Sequence, residues 1–225
     1  MRRDARLLAL CLLAATLAGC AITQGHGPSA TVEILADPGK AWKERIDQAD
    51  AARLDALPAL WVSARAAAKP RFAAALAREG ALLDPARALR YPALPPGAYH
   101  CRAVKLGPAQ RTGAPRQPVF RTLAPAFCHV GGEEDAQSFT IQTGAERPSG
   151  WLYPDGDTRS VFLGALPRGK AAAPVYGAVP GSNALGVVER VAQFRWRLTL
   201  VPVDRSAPLT IYELTPVPAD QQPGD

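Results

Sequence analysis

The sequence has few of the residues and motifs on which common hydrolases depend. It contains three histidines, His26, His100 and His129, and none of them belongs to an H-E-x-x-H pair. No serine stands in a G-x-S-x-G motif, and no S-x-x-K motif occurs. The signatures of zinc peptidases, serine hydrolases and penicillin-binding enzymes are therefore absent. This absence favours a binding role over a catalytic one.

The apolar run near the amino terminus is too short to cross a membrane. It covers residues 7–17 and is broken only by Thr16, whereas a membrane-spanning helix needs about 20 apolar residues. Three basic residues precede the run, Arg2, Arg3 and Arg6. Positive charge followed by a short apolar segment is the layout of a secretory signal. We therefore predict that the protein is exported and that residues 1–19 are removed.

The end of this signal, Leu17-Ala18-Gly19-Cys20, resembles the lipobox of bacterial lipoproteins. The resemblance implies a diacylglyceryl thioether on Cys20, cleavage before it and acylation of the new amino terminus. Each buried methylene of these chains contributes about 0.8 kcal/mol to membrane binding. Ala21 follows the cysteine, which by resemblance to the sorting rule of enteric bacteria implies the outer membrane, facing the periplasm. The alternative is an ordinary cleaved signal peptide with a chance cysteine.

Two cysteines remain once one has left with the signal and Cys20 carries lipid, namely Cys101 and Cys128. Disulfides form and persist in oxidising compartments, so we predict a bridge that contributes about 3 to 4 kcal/mol in the loop-entropy model. A metal site that adds the neighbouring His100 and His129 is the competing interpretation. Neighbouring side chains on a strand point to opposite faces, so we expect neither this metal site nor another cofactor.

The excess of positive charge is mild, with 26 basic against 20 acidic residues. A Pro- and Gly-rich stretch without acids carries three arginines, Arg111, Arg116 and Arg121. These arginines are candidates for contact with anionic lipid headgroups or polysaccharide phosphate; a solvated loop is the alternative. No platform of interleaved aromatic and basic residues is visible, and we expect no nucleic-acid partner.

Acidic residues offer little support for catalysis. Glu133, Glu134 and Asp135 form a cluster that would suit glycoside chemistry only if two carboxylates faced each other across a substrate. Adjacent carboxylates after glycine are interpreted as a solvated turn. Glu213 shares a predicted strand with apolar residues. If it points inward it needs a partner such as an arginine, because an unpaired buried charge is costly.

Residues 39–90 carry helical patterns. Apolar residues recur at helical spacing around Trp42 and again around Trp61. Pro58 is interpreted as a break or a first helical turn, and Pro70 as the opening of another helix. We therefore expect two or three short helices whose tryptophans dock on a core.

From residue 91 onward the sequence changes to short segments rich in Val, Phe, Tyr, Trp and Thr, separated by Gly, Pro and Asp. Such segments predict strands joined by turns. The predicted strands are 98–106, 119–130, 137–143, 149–153, 159–165, 186–193, 194–201 and 208–215.

Two stretches predict particular strand geometry. In "FRWRLTL" apolar residues alternate with Arg195, Arg197 and Thr199, which predicts one buried face and one face in water. In "PDGD" Gly156 suits a tight hairpin at positive φ, and we prefer this turn to a calcium loop. Closure of the predicted strands into a small barrel would remove exposed edges.

The predicted fold is α+β, with short N-terminal helices followed by an antiparallel β-barrel-like domain and one disulfide. The predicted divisions are a signal peptide at 1–19, a flexible tether at 20–38, a helical part at 39–90, a barrel-like domain at 91–217 and a disordered tail at 218–225.

Several stretches together resemble an uncharacterised proteobacterial envelope family, domain of unknown function 4893. They are "RLDALPALW", "LLDP", "PPGAYHCRAVKLG", "FCHV", "GWLYPDGDTRSVFLGAL", "VYG", "GVVERVAQFRWRLTL" and "IYEL". The resemblance covers about residues 40–217 and implies no catalytic residue. In architecture the strands also resemble the small barrels of bacterial metalloprotease inhibitors and lipocalins, but a shared fold does not imply a shared function.

These features lead to an expected function in the cell envelope. We expect a lipid-anchored, non-catalytic binding or scaffold module that is held at the membrane and contacts an envelope lipid, glycan or protein. One alternative is a protease-inhibitor-like barrel lipoprotein that acts through its N-terminal tether. A second alternative is an unrecognised envelope hydrolase.

Overall fold

The computed structural model describes residues 38–109, 117–132, 136–144, 146–169, 171–204, 207–218 and 221. The predictions for Cys20, the signal peptide, the tether and most of the tail concern residues outside these ranges. The described part begins with three helices: α1, Pro38–Arg45; α2, Gln48–Asp55; and α3, Leu57–Glu79. A 3₁₀ turn, Gly80–Leu83, follows α3. No helix in this part of the chain is long and apolar enough to cross a membrane.

The strands that follow form one antiparallel sheet. They are β1 (Gly97–Ala109), β2 (Gln117–Thr122), β3 (Ala126–Gly131), β4 (Gln137–Ile141), β5 (Ser149–Asp155), β6 (Arg159–Ala165), β7 (Asn183–Ala192), β8 (Arg195–Leu200) and β9 (Leu209–Pro216). Each strand from β3 to β8 pairs with the next along the chain. β1 pairs with β9 on one edge and with both β3 and β2 on the other.

These pairings close the sheet into an eight-stranded barrel in which β2 and β3 share one position. β1 reaches both strands because it is 13 residues long, so that Tyr99 pairs with Cys128 of β3 while Val104 pairs with Thr122 of β2. The α+β fold, the helices before the strands and the closed barrel confirm the predicted fold class. The predicted strand 119–130 is divided into β2 and β3.

The barrel interior is filled by side chains from alternate strand positions. Five buried aromatic residues belong to this cluster: Tyr99, Phe139, Phe162, Trp196 and Tyr212. The predicted disulfide between Cys101 and Cys128 is present in the same cluster, with a Cα–Cα distance of 6.1 Å. Because the side chains of a strand alternate between its faces, the residues between these positions point to the outside of the barrel.

The helices cover part of this outer face, which corrects one prediction. Arg197 and Thr199 were expected on a wet face of β8, but both are fully buried. Trp61 of α3 and Leu82 of the 3₁₀ turn belong to a second core cluster that includes outward-facing strand residues such as Val187. The alternation along β8 is real, but both of its faces are covered.

α3 is longer than the predicted short helices. Pro58 is interpreted from the sequence as either a break or a first helical turn, and it lies in the first turn of α3. Pro70 does not open a separate helix, because α3 continues through it and kinks at Phe72, where φ is −126° and ψ is 24°. A proline inside a helix removes one backbone hydrogen bond and bends the axis.

The segment between the 3₁₀ turn and β1 closes one end of the barrel. The backbone N–H of Leu89 donates to the carbonyl of Arg190 at 2.8 Å. Leu94 is buried with the interior cluster, and its backbone carbonyl accepts a hydrogen bond from Gln137 Nε2 at 2.6 Å. Tyr99 donates its hydroxyl to the carbonyl of Pro95 at 2.5 Å.

Candidate functional site

A cleft of about 720 Å³ lies on the helical side of the barrel, between the α2–α3 pair and the segment that follows β8. Eleven of its fourteen lining residues are apolar, and most of these are small. The lining residues are Ala52, Arg53, Ala56, Ala59, Leu60, Ser63, Ala64, Leu106, Val201, Pro202, Val203, Asp204, Ala207 and Leu209.

The cleft exists because short side chains line the helical wall while the helices remain firmly docked. Ala56 both ends α2 and precedes α3, so the corner between the helices carries only a methyl group. Deeper in the interface, α3 approaches β1 closely at Gly107. A Cβ atom built on Gly107 would lie 2.8 Å from the Cβ of Ala64, which is closer than two carbon atoms can pack.

Arg53 brings the positive charge of the cleft into a fixed position. Its Nη1 lies 2.5 Å from Asp50 Oδ1, and its Nη2 donates to the carbonyl of Pro202 at 3.0 Å. The second bond ties α2 to the segment that forms the opposite wall. About a third of the Arg53 side chain remains exposed.

Asp50 is buried behind Arg53, and its carboxylate has several donors. Its Oδ2 accepts hydrogen bonds from the hydroxyl of Tyr176 at 2.8 Å and from Nδ2 of Asn183 at 2.9 Å. Burial alone would raise the pKa of Asp50. The hydrogen bonds from Asn183, Tyr176 and Arg53 outweigh this effect, so the pKa of Asp50 lies below its usual value.

Tyr176 is held in its protonated form by the same contacts. Burial raises the pKa of its phenol, and the hydrogen bond to Asp50 raises it further. The hydroxyl also accepts the backbone N–H of Asp47 at 3.3 Å. Asp50, Tyr176 and Asn183 therefore fasten α2 to the chain around the start of β7, and they form a structural clamp beside the cleft.

A second polar cluster lies between the helical layer and the barrel wall. The guanidinium of Arg197 is 4.6 Å from the ring centroid of Trp61. It lies 2.7 Å from Glu189 and donates to the carbonyls of Leu82 and Asp84 at 3.2 and 2.6 Å. These partners consume the donors of the buried cation, so we assign Arg197 a role in stability.

Glu213 lies in a third cluster and has the arginine partners that its position predicted. It lies 2.5 Å from Arg195 and 2.6 Å from Arg102. Arg102 also reaches Glu79 at the end of α3, at 2.6 Å. Glu213 is therefore a structural ion-pair residue that links β9 to β1, β8 and the helical layer.

The sequence-predicted binding arginines are only partly described. Arg121 is exposed on β2, opposite Lys105 of β1. Arg111 and Arg116 lie outside the described residues, as do Glu133, Glu134 and Asp135. The anion-binding role proposed for the three arginines therefore stays a prediction.

The histidines do not join the cysteines, as the strand geometry required. Cys101 and Cys128 lie inside the barrel, whereas the ring of His100 contacts Phe127, an exposed residue, at a centroid distance of 5.2 Å. His129 is exposed. Within the described residues, no group of three or more His, Cys, Asp or Glu side chains is placed to hold a metal ion.

The stretch that was weighed as a calcium loop forms a hairpin. Gly156 has φ +76° in the turn between β5 and β6. Asp155 is paired with Arg159 at 2.6 Å, and Asp157 with Arg90 at 3.0 Å.

Sequence reasoning missed the residues that shape the cleft. Asp47 caps α2 by accepting the N–H of Asp50 at 2.7 Å, and no local pattern marks Asp50 as a buried carboxylate. Its partners Tyr176 and Asn183 are more than 120 residues away. The alanines at 52, 56 and 59 did supply a signal, since small residues on an exposed helical face leave room for a cleft.

A filled, closed antiparallel barrel with a helical layer on its outer wall and an apolar cleft beside that layer defines the class of this protein. It is a small α+β barrel protein. Residues 42–214 match the family described as a domain of unknown function, DUF4893, and the chain belongs to this family. No curated protein and no solved structure matches the chain significantly.

Proposed function

We propose that the protein is a lipid-anchored component of the cell envelope that binds the acyl chain of an envelope lipid and does not transform it. The apolar cleft between the α2–α3 pair and the segment after β8 is the observation that carries this proposal. The lipid anchor at Cys20, the outer membrane and the periplasmic side belong to the same proposal and rest on the sequence.

The size and lining of the cleft support an acyl chain as the ligand. Its volume of about 720 Å³ falls within the usual range for small-molecule sites, about 300 to 1,000 Å³. Most of the lining residues are aliphatic, so each methylene that leaves water for contact with them contributes about 0.8 kcal/mol. Within the part of the chain that the structure describes, aromatic side chains occupy the barrel interior.

The electrostatics beside the cleft support binding over catalysis. A general acid works best when its pKa lies near the pH at which it operates. The pKa of Asp50 is instead shifted downward, away from neutral pH. The pKa of Tyr176 is shifted upward. Both groups are therefore locked in one protonation state, and the charged residues of the lining are Arg53, which is paired with Asp50, and Asp204.

A substitution that fills the cleft tests this proposal. We expect Ala59→Phe to weaken the binding of a fluorescent fatty acid by about tenfold or more, because the new ring occupies the volume of the chain. Ala74→Phe is the matched control, since Ala74 is exposed on the same helix and does not line the cleft. Equal affinity of the two variants for the probe would refute the acyl-chain site.

A separate experiment tests the anchor. We expect wild-type protein expressed in a bacterium to incorporate radiolabelled palmitate and to sediment with the membranes. Cys20→Ser should abolish the incorporation. Incorporation that persists in Cys20→Ser, or a wild-type protein that carries no label, would contradict the anchor without bearing on the cleft.

A further inference from the structure

The charged side chains along most of α3 have one sign, which neither the core nor the cleft explains. Between Leu57 and Arg78 it carries four basic residues and no acidic residue. The basic residues are Arg65, Lys69, Arg71 and Arg78. The first carboxylate of the helix, Glu79, comes after them and is bound to Arg102 at 2.6 Å. All charged side chains of α3 before Glu79 are therefore positive.

Most of this charge is not neutralised within the fold. Lys69, Arg71 and Arg78 are exposed and make no ion pair with any residue that the structure describes. Arg65 is half-buried and donates from Nη1 to the carbonyl of Leu83. A surface of uncompensated cations attracts an anionic partner over about a Debye length, roughly 10 Å at 0.1 M salt.

The residues between the cations leave them accessible. Ala66, Ala73 and Ala77 are exposed, and Val62 is 62 % exposed. Their short side chains do not stand between the cations and an approaching surface.

A groove of about 390 Å³ runs along the same part of the helix. Arg65 and Lys69 line it, together with Ala66, Ala73, Leu76 and Ala77. The two cations are four residues apart and thus stand one above the other on the helix, about 6 Å apart at their Cβ atoms. A single phosphate group fits between two cations with this spacing.

We propose that the exposed side of α3, with Arg65 and Lys69 along one edge and Arg71 along the other, lies against an anionic lipid bilayer. We call these three residues and Arg78 the basic face. Arg65 and Lys69 receive a headgroup phosphate at the groove. Arg71 and Arg78 lie outside the groove lining and add long-range attraction. This contact is independent of both the lipid anchor and the acyl-chain cleft, since it uses neither Cys20 nor a residue of the cleft.

The shape of the face selects a membrane over other anionic partners. From Arg65 to Arg78 the helix rises by about 20 Å, with a bend at Phe72, and cations spread along that length suit an extended plane of charge. The exposed residues between them are alanine, valine and proline, which provide no aromatic anchor of the kind that dominates protein interfaces.

Vesicle binding tests the proposal with the full chain carrying Cys20→Ser, so that no acyl anchor contributes. Binding is measured by co-sedimentation with vesicles of neutral phosphatidylcholine and with vesicles that contain 30 mol% phosphatidylglycerol. Neutral vesicles report binding that does not depend on charge. The increase on anionic vesicles reports all exposed cations of the chain, and the triple variant below isolates the share of α3. We expect an increase of at least tenfold at 50 mM salt and its loss at 500 mM salt, because salt screens exposed charges.

The decisive variant replaces three cations that make no hydrogen bond in the described fold, Lys69→Gln, Arg71→Gln and Arg78→Gln. Glutamine has a helix propensity close to that of lysine and arginine, so α3 is retained. Each cation near an anionic surface contributes about fivefold in affinity, and the triple variant should lose most of the increase. The matched control removes the same charge from exposed positions elsewhere, Lys43→Gln, Arg45→Gln and Arg168→Gln.

The proposal is supported if the control variant keeps the stronger binding to anionic vesicles and the triple variant loses it. Equal losses in the two variants would show that net charge alone acts, and would overturn it. If the parent protein bound anionic vesicles no better than neutral ones, the proposal would also be overturned. If the basic face captured an acidic protein and no anionic vesicle, the face would belong to that class of partner.

Discussion

The guanidinium of Arg197 is buried inside the fold and has a partner on each side. The carboxylate of Glu189 lies 2.7 Å away, the ring of Trp61 faces it at 4.6 Å, and three carbonyls of the 3₁₀ region accept from Nη1. A buried ion pair adds little net stability when compared with an apolar pair, but breaking it strands a charge. The cluster is thus sensitive to the loss of one member.

We predict that Glu189→Gln destabilises the protein by about 3 kcal/mol, because the charge of Arg197 is left without a counter-ion in the interior. Urea unfolding followed by tryptophan fluorescence measures the change. The control is Arg159→Gln, which breaks the more exposed pair with Asp155 and should cost less than about 1 kcal/mol. Similar costs for the two variants would contradict the assigned role of the buried pair.

The negative charge of Asp50 is favoured in the folded state. Its pKa is lower when folded than when unfolded, so the folded state gains stability from this carboxylate above the unfolded pKa, about 3.9. That stability is lost as the pH falls through the folded pKa, where the native carboxylate takes up its proton.

We therefore predict that Asp50→Asn destabilises the protein at pH 7 and that the difference from wild type shrinks below about pH 4. Urea unfolding at a series of pH values measures the difference. Asp55→Asn on the exposed end of α2 is the control and should change stability by less than about 0.5 kcal/mol. A difference that grows on acidification would be incompatible with the lowered pKa.

At the scale of elements, the docking of α3 on β1 depends on a single glycine. Gly107 has φ +109°, and a Cβ atom there would lie 2.8 Å from Ala64 Cβ and 3.1 Å from its Cα. Two separate costs follow from adding a side chain, backbone strain at positive φ and overpacking against α3.

We predict that Gly107→Ala destabilises the protein by about 2 to 5 kcal/mol, the sum of these two costs. Gly156→Ala isolates the strain, because Gly156 also has positive φ but no atom lies within 4 Å of its added Cβ. It should cost about 1 to 2 kcal/mol. Ala64→Gly should recover part of the loss in Gly107→Ala, and its failure to do so would show that α3 does not press on β1.

The elements also show what local sequence can and cannot predict. The strand β6 begins and ends where its pattern placed it, at Arg159 and Ala165, because alternation and turn residues are local signals. The burial of Arg197 is decided by a helix more than 100 residues away, so its polar character led to a wrong assignment. The rule for helix starts places a helix opening at Pro70, but Pro70 lies inside α3, which bends at Phe72. Leu76 beyond the bend packs in the same core cluster as Trp61 before it.

At the scale of the whole molecule, barrel closure and the disulfide were predictable, and the cleft was not. Closure follows from a count of antiparallel strands and the instability of free edges. The cleft depends on where α2 and α3 dock, which is set by pairs such as Arg53 with the carbonyl of Pro202. Such pairs join residues 149 positions apart, and no local pattern connects them.

The disulfide provides a test of how the whole barrel is held together. It joins β1 to β3 across a sequence separation of 27 residues, and the loop-entropy model gives about 3 to 4 kcal/mol for a loop of this length. We predict that Cys101→Ala with Cys128→Ala lowers the free energy of unfolding by about that amount. Alanine is smaller than cysteine, so the two substitutions also leave a cavity in the filled interior, and this cavity adds to the loss.

The barrel itself should survive, because β1 remains paired with β9 along eight residue pairs, from Tyr99 with Pro216 to Leu106 with Leu209. Far-ultraviolet circular dichroism should therefore be unchanged at low temperature while the urea midpoint falls. Reduced wild-type protein is the matched control, since it loses the bond but keeps the sulfur atoms. It should lose less stability than the double variant, and the difference reports the cavity. A double variant with no secondary structure would show that β1–β9 pairing does not close the barrel unaided.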